Sequence, residues 1–115
     1  MTTAPTDPLR DLIRSTLDFY ARFGVTQATP SALRNFQEEV GELIEAAQAG
    51  TDPDHTAEEA ADVIVTIVGV CQAAGVSPER LIAQLYAVIA KNDAKTHATH
   101  VVADGKIRRR SALPE

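Results

Sequence analysis

The chain has 115 residues, 16 acidic and 11 basic, for a net charge of −5 with histidine neutral. That length suits one domain of ordinary size and excludes a multidomain machine. A hydrophobic fraction of 44% excludes a disordered chain, and 4% aromatics with no Trp favours helices packed through small side chains over a β-sandwich. Overall acidity gives no reason to expect a nucleic-acid partner.

Residues 1–6 read as a disordered leader. Asp7-Pro8 is a helix start, with Asp as cap and Pro in the first turn. A first helix then runs to about Phe23 on Leu9, Leu12, Ile13, Thr16, Leu17 and Tyr20, and Gly24 ends it. Thr29 or Ser31 is expected to cap a second helix. Its apolar stripe, Leu33, Phe36, Val40, Leu43, Ile44 and Ala47, has the helical period.

Gly50 stops that helix, and Thr51 to Asp54 reads as a turn. Thr56-Ala-Glu-Glu59 has the form of a capping box, so a third helix is expected to start near Thr56 and to stop at Gly75. Its β-branched run, Val63 to Val70, would also suit a strand. Length, flanking acids and spacing favour a helix. Ser77-Pro78-Glu79 opens a fourth helix that continues to about Lys95. The remainder, 96–115, reads as an irregular C-terminal tail, in which Asp104-Gly105 between Val101, Val102 and Ile107 suggests a small hairpin. The expected architecture is all-α: a four-helix bundle domain over 7–95 followed by the tail. The apolar faces of the second and third helices are wide for so short a chain, which leads us to expect a homo-oligomer, dimer or tetramer.

Cys71 stands alone, so no intramolecular disulfide is possible, and its apolar setting reads as a buried small hydrophobe. The N-terminus lacks the basic-then-apolar pattern of a signal peptide, and the apolar run 63–71 is far shorter than the ~20 residues of a membrane span. A cytoplasmic protein with no membrane partner is expected.

Charge is unevenly placed. No Lys or Arg lies between Arg34 and Arg80, an interval that holds ten Asp or Glu residues. The second helix carries Glu38-Glu39-Val-Gly-Glu42, and the third carries Glu58-Glu59-Ala-Ala-Asp62. The i, i+3 and i, i+4 spacings stack each set of acids on one helix face, where like charges repel. Two helices joined by a short turn would let Glu39, Glu42, Glu59 and Asp62 converge. Four such carboxylates call for a cation. Ligation by oxygen alone points to Mg²⁺, with Mn²⁺ as the variant. The Glu-x-x-His pair of a di-iron bundle is missing, and an EF-hand read from Asp52 fails at Ala57 and Val63. The competing reading is a pair of solvated acidic faces. The helix dipole explains acids near a helix start, but not those in mid-helix.

A carboxylate-held Mg²⁺ commonly serves phosphate substrates. Lys91, Asn92 and Lys95, at the end of the fourth helix, would supply the counter-charge, with Lys106, Arg108, Arg109 and Arg110 beyond them. Cations also gather at helix C-termini for the dipole alone.

Glu39-x-x-Glu42 followed by Glu59-x-x-Asp62 resembles the paired acidic signature of the all-α nucleoside triphosphate pyrophosphohydrolases, the MazG-like proteins. Lys91-Asn92-Asp-Ala-Lys95 and Asp104-Gly105-Lys106 are similar to segments of several branches. The resemblance covers roughly residues 30–110. It implies a Mg²⁺-dependent hydrolase that converts a nucleoside triphosphate to the monophosphate and pyrophosphate, with clearance of non-canonical nucleotides as one role. Glu39, Glu42, Glu59 and Asp62 would hold the metal. Glu38 would be an extra ligand or the base for the attacking water, and Asn92 and Lys95 would contact the nucleotide. Asp93 departs from the apolar or small residue expected after Asn92. The alternatives are a phosphoribosyl-ATP pyrophosphohydrolase and a non-catalytic metal-binding helical oligomer.

Overall fold

The computed structural model describes residues 7–26 and 28–110. Four helices precede a two-stranded hairpin, an all-α fold with a C-terminal tail: α1 (Pro8–Arg22), α2 (Thr29–Ala49), α3 (Pro53–Ala73), α4 (Pro78–Asp93), β1 (His100–Ala103) and β2 (Lys106–Arg109). The expected leader, 1–6, lies outside the described residues, as do 111–115. No single described helix is long and apolar enough to cross a membrane. The chain divides into two compact units, Met1–Pro78 and Glu79–Glu115.

In the first unit, α1 begins as its sequence indicates. Asp7 accepts the Arg10 N–H at 3.1 Å, and Pro8 occupies a first-turn position that needs no donor. α1 and α3 end in the same way. Gly24 and Gly75 take φ of 64° and 80°, and the next residue, Val25 or Val76, donates its N–H back to Tyr20 or Cys71 at 2.8 Å. This is the Schellman arrangement, which satisfies carbonyls the helix would otherwise leave unpaired.

Two helix starts differ from expectation. α2 begins at Thr29, preceded by Ala28 in extended conformation with no side-chain cap. Pro30 lies in the first turn, and Ser31 instead accepts from the Arg34 guanidinium at 3.1 Å. α3 begins at Pro53, so the turn expected over Thr51 to Asp54 is shorter. Asp52 is the cap and accepts from the N–H groups of Asp54 and His55. Asp followed by Pro is the stronger start signal, and it takes the role assigned to Thr56. The Thr56 hydroxyl bonds the Asp52 carbonyl. Glu59 therefore sits in the second turn of α3 and belongs to no capping box.

Only Gly50–Asp52 separate α2 from α3, so the two helices pack as an antiparallel pair. Ala32 and Ala46 of α2 are buried, as are Val68 and Gly69 of α3. α1 contributes Ile13 and Thr16 and lies against α3 at Gly69, where an added Cβ would stand 2.9 Å from the Tyr20 hydroxyl. The β-branched run of α3 is helical, with the Thr66 hydroxyl bonded back to the Val63 carbonyl at 2.7 Å. Cys71 is half-buried rather than buried.

The core of this unit is small. Among the described residues, no large side chain is fully buried. Leu33 and Ile44 of α2, Ile64 and Ile67 of α3, Phe19 of α1 and Phe23 at its C-cap are exposed. The stripe on α2 is thus wider than its helical partners cover.

In the second unit, α4 leads to the hairpin. Asp104 and Gly105 have φ of 54° and 72°, the two left-handed residues of a type I′ turn. The register pairs His100 with Arg109 and Val102 with Ile107. Directly paired residues share a sheet face, so His100 and Arg109 stand side by side.

Candidate metal centre

Glu39 and Glu42 occupy i and i+3 on α2, and Glu59 lies one turn before Asp62 on α3. The tight α2–α3 connection brings the two pairs together. One carboxylate oxygen from each of Glu39, Glu42 and Glu59 lies within 4.8 Å of the others. Glu59 is buried, Glu39 is half-buried and Glu42 is exposed, which gives the cluster one dry side and one wet side.

The electrostatics are unfavourable for carboxylates alone. The pKa of Glu39 is raised, first by loss of solvent, then by its hydrogen bond to Glu42 and by the charges of Glu42, Asp62 and Glu59. That of Glu59 is raised by the same leading causes, with Asp62 adding to the effect and His55 opposing it. Oε2 of Glu39 and Oε2 of Glu59 are both buried and have no hydrogen-bond partner. Buried carboxylate oxygens are rarely left so, because desolvation costs more than an unmade bond returns. A divalent cation held by the trio would offer such oxygens a partner, and all-oxygen ligation suits a hard ion. The residues present therefore fit a metal, and Glu39, Glu42 and Glu59 are its candidate ligands.

Asp62 stands outside the trio but is near enough to raise both buried carboxyls by its charge. Glu38 is exposed and does not join the group. Lys91, Asn92 and Lys95 belong to the second unit, where Lys95 Nζ donates to Asn92 Oδ1 at 3.0 Å. Sequence reasoning missed His55, whose Nε2 lies 3.8 Å from Glu59 Oε1. The i, i+4 spacing of His55 and Glu59 would have revealed it, had the helix been started at Pro53 rather than at Thr56.

A family model described as phosphoribosyl-ATP pyrophosphohydrolase matches residues 18–87, which is more than half of the chain and includes every acidic residue of the cluster. No curated protein and no solved structure gives a match. The matched range ends short of Lys91 and of the hairpin. A helix pair that converges carboxylates at the positions of the paired acidic signature agrees with this match in fold and in chemistry: the chain belongs to the phosphoribosyl-ATP pyrophosphohydrolase family, within the all-α nucleoside triphosphate pyrophosphohydrolase superfamily, and its activity is of the pyrophosphohydrolase type.

Proposed function

We propose that the protein is a Mg²⁺-dependent nucleoside triphosphate pyrophosphohydrolase. Water adds to a phosphorus of the triphosphate, one P–O bond of the anhydride breaks, and the products are the nucleoside monophosphate and pyrophosphate. The observation that carries this reading is the trio Glu39, Glu42 and Glu59 with two buried, unpartnered oxygens. Asp62 completes the proposed ligand set. When bound, the ion supplies charge neutralisation for the phosphates and a more acidic water. Glu38, exposed beside Glu39, is the proposed base that orients that water. Asn92 and Lys95 are the proposed nucleotide contacts, and their mutual hydrogen bond holds the ammonium in place. The exposed apolar faces support assembly as a homo-oligomer.

A second substrate reading, phosphoribosyl-ATP, is favoured by the description of the matching family. It contains the same triphosphate linkage, so the same site would serve.

Pyrophosphate release across ribo- and deoxyribonucleoside triphosphates and phosphoribosyl-ATP, with and without Mg²⁺ or Mn²⁺, tests both. Turnover that requires metal and disappears in Glu39→Gln is expected. If no triphosphate is cleaved at any metal concentration, while metal still stabilises the fold, the protein is a non-catalytic metal-binding oligomer.

A further inference from the structure

Glu59 is the buried acid of the trio, and its two oxygens have different surroundings. Oε2 is buried and has no hydrogen-bond partner. Oε1 lies 3.8 Å from Nε2 of His55, one turn earlier on the same helix. No Lys or Arg lies between Arg34 and Arg80, so His55 is the one basic side chain in the interval that holds the cluster. Its charge favours the ionised form of Glu59, whereas burial, Glu42 and Asp62 oppose it.

The start of α3 sets this contact. Asp52 Oδ1 accepts the backbone N–H groups of Asp54 at 3.1 Å and of His55 at 3.2 Å. The Thr56 hydroxyl bonds the Asp52 carbonyl at 3.3 Å. These bonds hold the backbone that carries His55. They also occupy Asp52, the acid one turn before His55 that would otherwise compete for the ring. The i, i+4 spacing then stacks the imidazole over Glu59. The ring is exposed and the Glu59 side chain is not, so the ring reaches the carboxylate from the solvent edge. A separation of 3.8 Å is longer than a hydrogen bond. An exposed ring can close it by turning about its side-chain bonds, with no change in the backbone.

A carboxylate holds a cation through one oxygen or through both. Ca²⁺ accepts both, because it takes roughly six to eight ligands in flexible geometry at about 2.3–2.6 Å. Mg²⁺ demands near-octahedral geometry at about 2.0–2.1 Å, which the narrow bite of a two-oxygen carboxylate does not fit. A donor that engages one oxygen from outside therefore decides how Glu59 can bind. Outer groups of this kind contribute about 10–100-fold to metal affinity.

We infer that His55 is a positioning residue of the metal centre: Nε2–H donates to Glu59 Oε1, leaves Oε2 alone to the ion, and so biases the centre toward Mg²⁺ over Ca²⁺. The inference rests on the proposed metal centre and adds to it a residue outside the ligand set.

The test uses the full chain without nucleotide, as native protein, His55→Ala and His55→Gln, at one fixed pH. Mn²⁺ binding is followed by EPR, with Mg²⁺ and Ca²⁺ as competitors, which gives the affinity for each ion. His55→Ala is expected to weaken Mg²⁺ about tenfold and to leave Ca²⁺ unchanged or tighter, so the Mg²⁺-to-Ca²⁺ ratio falls about tenfold or more. His55→Gln keeps an N–H donor of similar reach and should recover most of the ratio. Melting in EDTA should be close to native in both variants. An unchanged ratio in His55→Ala, equal losses for the two ions, or no recovery in His55→Gln overturns the proposal. So does a directly bonded nitrogen in the Mn²⁺ spectrum, which would make His55 a ligand. A native chain that binds none of the three ions removes the metal centre and this inference together. Pyrophosphate release is measured separately. A shifted ratio without hydrolysis supports the role of His55 and removes only the proposed activity.

Discussion

Glu39 of α2 and Glu59 of α3 each keep one carboxylate oxygen buried and unpartnered, in a cluster whose ligand atoms lie within 4.8 Å of one another. Neither helix alone would bury such an oxygen, because each carboxylate could turn to solvent. Packing the pair together creates the cost, and a cation would relieve it. Glu39→Gln and Glu59→Gln are therefore expected to unfold at higher temperature than the native chain in EDTA and to lose most of the stabilisation conferred by Mg²⁺. Hydrolysis should fall by ~100-fold or more, since loss of outer-shell groups alone costs 10–100-fold at metal sites. Thermal scans with and without metal, beside a pyrophosphate assay, check all three.

The same carboxyls fix the sign of a pH effect. Both have folded-state pKa values raised above the ordinary glutamate value, so the metal-free fold binds more protons than the unfolded chain. Stability must then fall as pH rises from about 4.5 through the raised values, and the contribution is fully present only below that window. Bound metal should abolish this fall, because the carboxylates then remain ionised. Urea denaturation at a series of pH values in EDTA, repeated with Mg²⁺, provides the comparison. A flat profile in EDTA would contradict the assigned electrostatics.

The acidic cluster was legible because helical spacing is a local property: Glu39 with Glu42 and Glu59 with Asp62 follow from i, i+3 alone. The hairpin was legible for the same reason, through Asp104-Gly105. The start of α3 was not, because two cap signals, Asp52-Pro53 and Thr56 with Glu59, compete within four residues and only their energies decide between them. Partition within the cluster was equally hidden. Nothing in the sequence says that Glu38 is exposed while Glu39 is half-buried, since that depends on how α2 is rotated against α3. His100 and Arg109 were invisible as a pair because cross-strand register, not sequence distance, makes them neighbours.

Gly69 and Tyr20 set the approach of α1 to α3. An alanine at Gly69 would place its Cβ 2.9 Å from the Tyr20 hydroxyl, but 3.4 Å and 3.5 Å from the ring carbons. Helix propensity favours Ala by ~1 kcal/mol, whereas forced overpacking costs ~1–3 kcal/mol. Gly69→Ala is expected to destabilise the native chain. In a Tyr20→Phe background the close oxygen is gone, and the same substitution should be neutral or stabilising. A double-mutant cycle by chemical denaturation measures the coupling, which vanishes if the two helices do not meet at this point.

Ile64 and Ile67 lie one turn apart on α3 and are both exposed, as are Leu33 and Ile44 on α2. The buried apolar set of the unit, Ile13, Ala32, Ala46 and Val68, is too small to stabilise it comfortably, because burial returns only ~25 cal/mol per Å² of apolar surface. Burying these isoleucines and leucine against a second copy would supply the missing area. Ile64→Asp together with Ile67→Asp is therefore expected to shift the protein to a monomer in light scattering coupled to gel filtration. The fold should be weakened as well, since the faces proposed to pair the copies would also complete the core. A native chain that is already monomeric at micromolar concentration would sink the oligomer and leave the carboxylate centre, which lies within one chain, unaffected.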